Sequence, residues 1–549
     1  MIPKMETITV EFKSDKEKIA DSEIFDAVVA FANTDGGEIF LGVENDGSIT
    51  GVHEAHKNPV TLSAYIANNT VPPISVRVEV IGEDTPIIKI SVPKSYGGIA
   101  ATASGKILRR QIKLDGTPEN IPMYPTELTT RLSSMRLLDY SAMPLSNASS
   151  EDFDPLETER LRKLILAYDG EKQLLELQDE DLFKALGFTR EVEGRLVPTI
   201  TGLLMIGRKK KIEVHIPTHS ASFQVLEGLS VKTNEDMVLP LLALFESIST
   251  HIEVRNPENE IEMGLFRMPI PEFNKRAIRE AVVNAFSHRD YSRLGRVRIC
   301  IADEGLTIAN PGGFVEGVTI NNLLTVEPHG RNPLLADALK RVGLAEKIGR
   351  GIDRIYEGSL IYGRLLPDYS ASTSTTVSVF IPRCAPDLQI TRIVSNEQNR
   401  SGRPLPLNTL LVLNVLRDAP KSSVNQLSLA ANLSEIVIRT VLDNAIELGI
   451  VEAYGSGRGR TYMISYKLYK LSGNVSGYVR QRDIDELRHP ELILSLASSQ
   501  DFISRSDVMS LLHINAPSAY RALKKLADEG KLEPVNKGRY SKYRLSTHA

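Results

Sequence analysis

A carboxylate and a carboxamide stand one helical turn apart at Glu280 and Asn284, a spacing that places them side by side on one face of a helix. Such a pair can offer a general base and a neutral oxygen ligand to the same small volume. Gly312 and Gly313 follow in the chain and would let the backbone approach a ligand closely. Farther along, Gly349–Gly351 would open a helix whose free N–H groups can hold phosphate.

These residues need a helix beside a sheet to bring them together. Apolar Ile278 and Val282 share one face of a helix predicted over Pro271–Tyr291, and the two polar residues lie to the other side. Strands are predicted over Arg296–Ala302 and Leu306–Asn310, and the second strand runs into the glycine pair. The order of elements therefore indicates an α/β layer around the polar pair.

This region resembles the ATP-binding domain of RecG-C-terminal-like regulators, which is similar to the GHKL ATPases, a group that includes gyrase, histidine kinases and MutL. The motifs that carry the resemblance occur in the family's order, and they are Arg279–Ala285, His288–Tyr291, Asn310–Gly313, Arg331–Leu334 and Gly349–Ile352. The resemblance implies a GHKL (Bergerat-type) α/β sandwich that binds ATP with Mg²⁺.

By position, the resemblance implies that Asn284 coordinates the Mg²⁺ and that Glu280 orients or deprotonates the attacking water. Asn310 stands where most GHKL proteins have an aspartate that accepts a hydrogen bond from adenine, and its amide oxygen can accept that bond without charge assistance. A mobile lid would span residues 318–347. The nucleotide-contacting residues implied are Asn284, Asn310, Gly312, Gly313, Arg331, Gly349, Arg350 and Gly351.

Three alternatives stay open for this domain: slow ATP hydrolysis, ATP binding without turnover, and a degenerate fold that has lost the nucleotide. The sequence has no Gly-x-x-x-x-Gly-Lys-Ser/Thr loop, so a P-loop helicase motor is not supported.

The N-terminal region alternates as strands do. Thr7–Phe12 predicts one strand, with Glu11 on its polar face, and Glu38–Glu44 predicts another that leads into a turn at 45–47. Between them, a helix predicted from Asp21 or Ser22 ends before a glycine pair. The segments Val10–Lys13, Ala30–Gly37 and Leu41–Val43 resemble the Schlafen-type AlbA_2 domain, which implies a nucleic-acid-binding domain.

In Schlafen relatives that cut RNA, three acidic residues bind a divalent metal, and by motif position they match Glu6, Glu11 and Glu44. Clustered carboxylates suit Mg²⁺ or Mn²⁺. On one straight strand, however, Glu6 and Glu11 would lie roughly 16 Å apart on opposite faces, so a shared metal requires a bend. The alternative is a set of solvated carboxylates on a binding domain without catalysis.

Basic residues mark two candidate nucleic-acid surfaces. Lys106, Arg109 and Arg110 form a cluster in the N-terminal domain that predicts either phosphate contacts or a solvated face. The C-terminal region repeats a pattern of three helices and a strand pair, which predicts two winged helix-turn-helix modules. From residue 505 to the end, nine Lys or Arg stand against four Asp or Glu. The predicted DNA contacts are Arg439, Arg458, Arg460, Arg521, Lys524, Lys525, Lys537, Arg539 and Lys542.

The composition and charge of the chain exclude several classes of protein. A net charge of −4 excludes a globally basic coating protein, and two distant cysteines support neither a disulfide framework nor a zinc site. No apolar run is long enough for a membrane helix, and the N-terminus has no signal-peptide pattern, so we expect a cytoplasmic protein. The predicted α+β multidomain architecture has AlbA_2-like, connecting, GHKL-like and two winged-helix domains at residues 1–135, 136–263, 264–383, 404–470 and 486–549.

The sequence supports two functional hypotheses. The first is a bacterial-type transcriptional regulator in which the nucleotide state of the ATP domain controls DNA binding by the winged helices, as a dimer or higher homo-oligomer. The second is a metal-dependent RNA endonuclease, such as an anti-phage effector, regulated by the ATP domain. A scaffold that binds nucleic acid without catalysis is the third alternative.

Overall fold

The computed structural model describes residues 2–135, 137–263, 266–327, 330–346, 349–419, 421–455, 460–465, 489–512, 515–535 and 541–546. No helix in these ranges is both long and apolar enough to cross a membrane.

The N-terminal domain packs helices against a small mixed sheet. Its strands are β1 Val10–Lys13, β2 Gly37–Leu41, β3 Thr70–Val71, β4 Arg77–Ile81, β5 Ile87–Val92, β6 Ala101–Thr102, β7 Leu108–Ile112 and β8 Pro118–Pro122. Its helices are α1 Asp21–Ala32, α2 Pro59–Asn68 and α3 Pro125–Ser134. The main sheet has the order β1-β2-β5-β4, with only β1 and β2 parallel. Ala27, Val28 and Phe31 of α1 recur at helical spacing in the sequence and are fully buried in the structure.

The predicted first strand is wrong in its first half. Thr7 and Val10 exchange backbone hydrogen bonds of 3.0 and 3.3 Å, which closes a turn, and β1 begins only at Val10. The chain therefore bends between Glu6 and Glu11, and the separation expected for one straight strand does not apply.

The central part of the chain forms helices and a five-stranded sheet around one core. The helices are α4 Pro155–Ala167, α5 Asp179–Ala185, α6 Ile200–Ile206, α7 Lys209–His215, α8 Leu241–Glu253, α9 Lys275–Ser287, α10 Pro333–Val342 and α11 Gly351–Leu360. The strands are β9 Thr189–Val192, β10 Arg195–Pro198, β11 Ala221–Glu227, β12 Ser230–Met237, β13 Glu258–Met263, β14 Phe266–Pro271, β15 Val297–Ala302, β16 Gly305–Pro311 and β17 Thr376–Pro382.

The five-stranded sheet has the order β12-β11-β15-β16-β17, in which β11 and β15 are parallel and the other pairs antiparallel. Its apolar residues belong to one core that reaches from Ala148 to Ile381. Strands β11 and β12 come from the segment predicted as a connecting domain, so a boundary at residue 264 would divide this sheet. Alternation predicts strands but not which sheet they join, because pairing depends on distant chain segments.

Two predicted elements in this region differ from the structure. Helix α9 starts at Lys275 instead of Pro271, because Pro271 pairs within a hairpin and Asn274 caps the helix by accepting from the N–H groups of Arg276 and Ala277. From the sequence, the basic run 208–211 is either a phosphate contact or a solvated strand end, and we expect the strand end; in the structure Arg208 instead precedes α7 and Lys209 begins it. Ile212 of this helix is fully buried.

The C-terminal region contains α12 Leu388–Ser401 and two similar modules. The first module has α13 Leu407–Asp418, α14 Val424–Ala431, α15 Glu435–Glu447, β18 Ser422–Ser423, β19 Val451–Tyr454 and β20 Thr461–Ile464. The second has α16 His489–Ser499, α17 Arg505–Leu512, α18 Ala516–Asp528, β21 Ile503–Ser504, β22 Leu532–Pro534 and β23 Lys542–Leu545. Each described sheet has three strands. These six helices match, to within two residues, the helices that the sequence pattern predicts over Asn408–Arg417, Ser423–Ala431, Ser434–Leu448, Pro490–Ala497, Ser504–Leu512 and Ala516–Glu529.

Candidate functional site

A cavity of about 620 Å³ opens between α9, the five-stranded sheet and the N-terminal end of α11. Ile308, Val377 and Val379 of the sheet give it an apolar floor. Most of the predicted nucleotide residues line it, namely Glu280, Asn284, Asn310, Gly313, Gly349, Arg350 and Gly351. The fold thus joins residues that are up to about 70 positions apart in the chain.

Two glycines let α11 lie close along α9. A Cβ at Gly358 would lie 2.5 Å from the Cβ of Ala277, so only hydrogen fits there. At the cavity end of the same helix, a Cβ at Gly351 would overlap Oε1 of Glu280 and lie 3.1 Å from Nδ2 of Asn284. The sequence predicted a role for Gly351 but missed Gly358, whose signal was only its spacing of seven residues from Gly351.

The space beside Gly351 is a cradle that any side chain would fill. Its walls are a carboxylate, a carboxamide and the first turn of a ten-residue helix, whose leading N–H groups have no partner within the helix. An amide oxygen and a helix N-terminus match the donor set that a magnesium-chelated triphosphate requires. The described residues therefore fit ATP and Mg²⁺ at this end of the cavity.

Glu280 is held in an environment that disfavours its charge. Glu280 is 5% exposed. Its burial, and to a lesser extent the negative charge of nearby Glu346, raise the pKa of its carboxyl to about 7. Glu346 lines the same cavity and pairs with Arg276 at 3.5 Å and Arg354 at 3.3 Å. A carboxyl with a pKa near neutrality can accept a proton at physiological pH. The sequence did not predict Glu346, because nothing in its local pattern shows that it reaches α9.

Asn310 lies at the sheet end of the cavity, on β16. The residue is 4% exposed, and its Nδ2 donates to the carbonyl oxygen of Pro311 at 3.2 Å. The amide oxygen is the atom that the resemblance assigns to an adenine amino group. Tyr369, for which the sequence predicted no role, also lines the cavity and is buried.

Arg331 does not line the cavity, contrary to the expected phosphate contact. It is 3% exposed, its Nη2 donates to the carbonyl oxygen of Gly313 at 2.9 Å, and its Nη1 lies 3.7 Å from Oδ2 of Asp290. Gly312 also packs behind the cavity wall: its φ is +100°, and a Cβ there would lie 2.8 Å from the Cβ of Asp290. Both residues therefore support the wall and do not face a ligand.

The predicted lid, residues 318–347, includes a helix of the core. Leu335 and Leu339 of α10 are fully buried, and the helix N-terminus is bound by Asp139, which accepts from the N–H of Leu334 at 2.9 Å. The described residues on both sides of α10 line the cavity, including Leu323 and Val326 before the helix and Ala345 and Glu346 after it. The predicted lid is therefore interrupted by a helix that belongs to the core.

A second pocket, of about 790 Å³, lies in the N-terminal domain and is lined by both Glu6 and Glu11. The turn before β1 brings them together, and Oε1 of Glu6 accepts from the N–H of Phe12 at 2.8 Å. Glu11 is 5% exposed and is paired with Arg110 and, at 2.9 Å, with Lys13. The carboxylate is therefore already neutralised within the protein.

Glu44 is not part of that pocket's lining. Its carboxylate accepts from Ser14 at 2.7 Å and from Thr50 at 2.6 Å, and these hydrogen bonds lower its pKa. Among the residues that the structure describes, no three His, Cys, Asp or Glu side chains are grouped to hold a metal. The predicted metal ligands Glu11 and Glu44, with Glu6, therefore do not form a ligand set in this arrangement.

The predicted basic cluster of the N-terminal domain is dispersed. Lys106 pairs with Asp26 at 2.6 Å and Arg109 pairs with Glu127 at 2.7 Å. Arg110 is 3% exposed, since alternate residues of β7 face inward. Each predicted phosphate contact thus has an acidic partner of its own, and Arg110 is enclosed.

The C-terminal basic residues divide between the modules. Arg439 on α15 pairs with Glu435 at 3.0 Å, and exposed Arg460 lies over the ring of Tyr462 at 5.4 Å. Arg521, Lys524, Lys525 and Lys542 are exposed on the second module. The predicted contacts Arg458, Lys537 and Arg539 lie outside the described residues.

Comparisons with protein families define the class of domain at each site. Residues 6–114 match the Schlafen AlbA_2 family, and residues 295–381 match the C-terminal family named for the ATP-dependent DNA helicase RecG. Residues 131–222 match a domain of unknown function. The chain is therefore a multidomain protein with a Schlafen AlbA_2 domain at its N-terminus and a RecG C-terminal-like domain. These two domains indicate a nucleic-acid-related protein of an ATP-binding type.

Among solved structures, the chain is similar to the DIP2311 protein of Corynebacterium diphtheriae, at 20% identity and a TM-score of 0.50, over 98% of this chain and 94% of that one. This likeness concerns the fold. ScpB of Mycobacterium tuberculosis matches 26% of this chain and 94% of its own, at 10% identity and a TM-score of 0.11, which is too distant to bear on the fold. No curated protein matches the sequence.

Proposed function

We propose that this protein binds ATP with Mg²⁺ between α9 and α11 and that the nucleotide state controls DNA binding by its C-terminal modules. The observation that carries the proposal is the convergence of Glu280, Asn284 and Gly351 on one cavity. Each comes from a motif that the family resemblance assigns to nucleotide binding, and Gly351 places no side chain of α11 beside the two polar groups of α9.

Different residues of the cavity would bind the base, the phosphates and the Mg²⁺. The apolar floor and Asn310 would hold the base, and the first turn of α11 would bind phosphate through its N–H groups. Asn284 would supply an oxygen ligand to Mg²⁺, which neutralises phosphate charge when bound. Glu280, with its pKa near 7, would orient or deprotonate a water, so slow hydrolysis is compatible with the site.

The two C-terminal modules support the proposed binding of DNA. Three helices followed by paired strands is the element order of a winged helix-turn-helix, and α18 is the helix that would enter the major groove in the second module. Arg521, Lys524 and Lys525 are exposed on it and would contact phosphates.

The test measures DNA binding by the full chain with and without nucleotide. Fluorescence anisotropy of a labelled duplex at low salt should change at least fivefold in apparent Kd when Mg²⁺ and a non-hydrolysable ATP analogue are added. Asn284→Ala should abolish the change, whereas Asn399→Ala, on the exposed face of α12, should keep it. If the apparent Kd for DNA is the same with and without the analogue, nucleotide does not control DNA binding and the proposal is refuted.

An RNA nuclease remains the second candidate, because the turn before β1 places Glu6 and Glu11 in one pocket. Among the described residues, the carboxylates do not form a metal-ligand set. Incubation of the protein with tRNA and Mn²⁺ decides this candidate: cleavage that Glu11→Ala abolishes supports it, and intact RNA, or equal cleavage by the variant, excludes it.

A further inference from the structure

The part of the chain at residues 318–327, called here the 318–327 segment, lies between the nucleotide cavity and the first C-terminal module. Leu323 and Leu324 both line the cavity. Leu323 belongs to the core of the central domain, whereas Leu324, its neighbour, packs against the core of the C-terminal region. Adjacent residues of one short segment are thus anchored in two different cores.

A side-chain hydrogen bond fixes the same segment to the module. Asn432 ends α14 at the turn before α15, and its Nδ2 donates to the carbonyl oxygen of Asn321 at 2.6 Å. Asn432 is in the left-handed region, with φ 52° and ψ 44°, a conformation that asparagine tolerates better than most residues. The turn between the two helices is therefore docked on the segment that lines the cavity.

A second connection runs through α11, which starts at the cavity. Tyr356, in the middle of α11, packs against both cores, and Leu360 at its end is buried in the C-terminal core. Just beyond the helix, the guanidinium of Arg417 on α13 donates to the carbonyl oxygen of Gly363. The first module therefore contacts the segment on the lid side of the cavity and the C-terminal end of α11, the helix whose N-terminus is the phosphate end.

The corresponding helices of the two modules differ in charge. Helix α15 carries Glu435, Asp443 and Glu447 against one arginine, a net charge of 1 − 3 = −2. Helix α18 carries three basic residues against Asp528, a net charge of 3 − 1 = +2. The single arginine of α15 is paired with Glu435. Phosphate attracts positive charge, so α18 suits DNA and α15 does not.

We infer that the first C-terminal module senses the nucleotide through its docked α14–α15 turn, in place of the DNA contact predicted for Arg439, and leaves DNA to the second module. The inference rests on the proposed function. Nucleotide in the cavity repositions the 318–327 segment, and the hydrogen bond from Asn432 and the packing of Leu324 carry that shift to the turn. By linkage, a turn that is docked differently changes nucleotide affinity in return.

Hydrogen–deuterium exchange of the full chain tests the inference with a magnesium-loaded, non-hydrolysable ATP analogue. Peptides that cover 318–327 and 428–437 should change their exchange together on addition of the analogue. Asn432→Gly removes the donor and keeps a residue that adopts the left-handed conformation readily. In this variant the 428–437 response should fall at least threefold, while 318–327 still responds.

Calorimetry on the same samples separates the two claims. In Asn432→Gly the analogue should bind within about tenfold of the wild-type Kd, since the variant loses one neutral hydrogen bond and keeps every residue proposed to bind the nucleotide. Asn432→Asp, which also tolerates the left-handed region, repeats the loss of the donor if the glycine variant unfolds. Binding heat with an unchanged 428–437 segment in the wild type, or a wild-type response in both variants, overturns the inference and leaves ATP binding standing. Absence of heat in the wild type overturns both.

Discussion

Gly351 lies so close to Glu280 that a methyl group on its α-carbon would overlap the carboxylate. The contact joins the first turn of α11 to the middle of α9, and it leaves the space beside Asn284 free of side chains. A glycine is required here by the close approach, since its backbone is not among those with positive φ. The proposed phosphate cradle depends on this missing side chain.

Gly351→Ala should weaken nucleotide binding at least tenfold, because the methyl group occupies the cradle and displaces Glu280 into it. The folded protein should lose little stability, since the obstructing atoms are the end of a flexible side chain and alanine favours a helix by up to about 1 kcal/mol. Calorimetry and thermal melting measure the two effects. Gly97→Ala, where a Cβ has nothing within 4 Å, is the matched control and should change neither.

Nucleotide affinity should fall as pH rises from 6 to 8, because Glu280, with a pKa of about 7, becomes charged beside the phosphates. Glu280→Gln keeps the shape and removes the titration. The ratio of variant to wild-type affinity should therefore rise with pH, a comparison that cancels the titration of the nucleotide itself. A ratio that stays constant between pH 6 and pH 8 would show that Glu280 does not ionise beside the ligand.

The same carboxyl predicts a pH dependence of stability. The pKa of Glu280 is raised in the folded state from an ordinary value of 4.5 to about 7. Its contribution to the free energy of unfolding is therefore fully present below pH 4.5 and is lost as pH rises through about 7. The loss amounts to about 3 kcal/mol for a shift of this size. In denaturant unfolding at pH 5 and pH 8.5, the free energy of unfolding of Glu280→Gln relative to that of the wild type should be higher at pH 8.5. The same difference in free energy of unfolding between variant and wild type at both pH values would contradict a raised pKa for Glu280.

Arg110→Lys should destabilise the N-terminal domain by about 2–3 kcal/mol, because lysine keeps the charge but cannot make the hydrogen bonds of a buried guanidinium. Arg110 donates to Glu11, to Asn120 and to the carbonyl oxygens of Thr7 and Val10. Lys106→Gln, which breaks an exposed ion pair, should cost less than about 1 kcal/mol. If Arg110→Lys instead melted like the wild type and lost RNA affinity, Arg110 would be the phosphate contact that the sequence predicted.

Lys524→Gln with Lys525→Gln should weaken DNA binding and lower the slope of log affinity against log salt by about two, since each lysine releases about one counterion. Arg439→Gln on α15 is the matched control in the other module, and its affinity and slope should stay as in the wild type. Anisotropy titrations between 50 and 200 mM salt measure both. A comparable loss in the control would return DNA contact to the first module.

The sequence predicted the elements of the candidate site better than its contacts. Helical spacing was sufficient to place Glu280 beside Asn284, and the glycine motifs predicted where the backbone comes close. Spacing could not show that Glu346 reaches Glu280, or that Arg331 turns inward to the carbonyl of Gly313, because both depend on segments that meet only in the folded protein.

The N-terminal pocket illustrates the same limit. Alternation from Thr7 to Phe12 predicted one strand, but hydrogen bonds between Thr7 and Val10 override it and bring Glu6 next to Glu11. The basic residues near 110 also looked like a surface cluster in sequence. Their acidic partners Asp26, Glu127 and Glu11 lie far away in the chain, so their pairing could not be predicted from local charge.

Isothermal titration calorimetry of the full chain with a magnesium-loaded, non-hydrolysable ATP analogue tests the central claim most directly. We predict saturable heat with one site per chain, lost in Asn284→Ala and retained in Asn399→Ala. Wild-type protein that is folded by thermal melting and yet releases no heat with the analogue would contradict the account, since the cavity between α9 and α11 would then not be a nucleotide site.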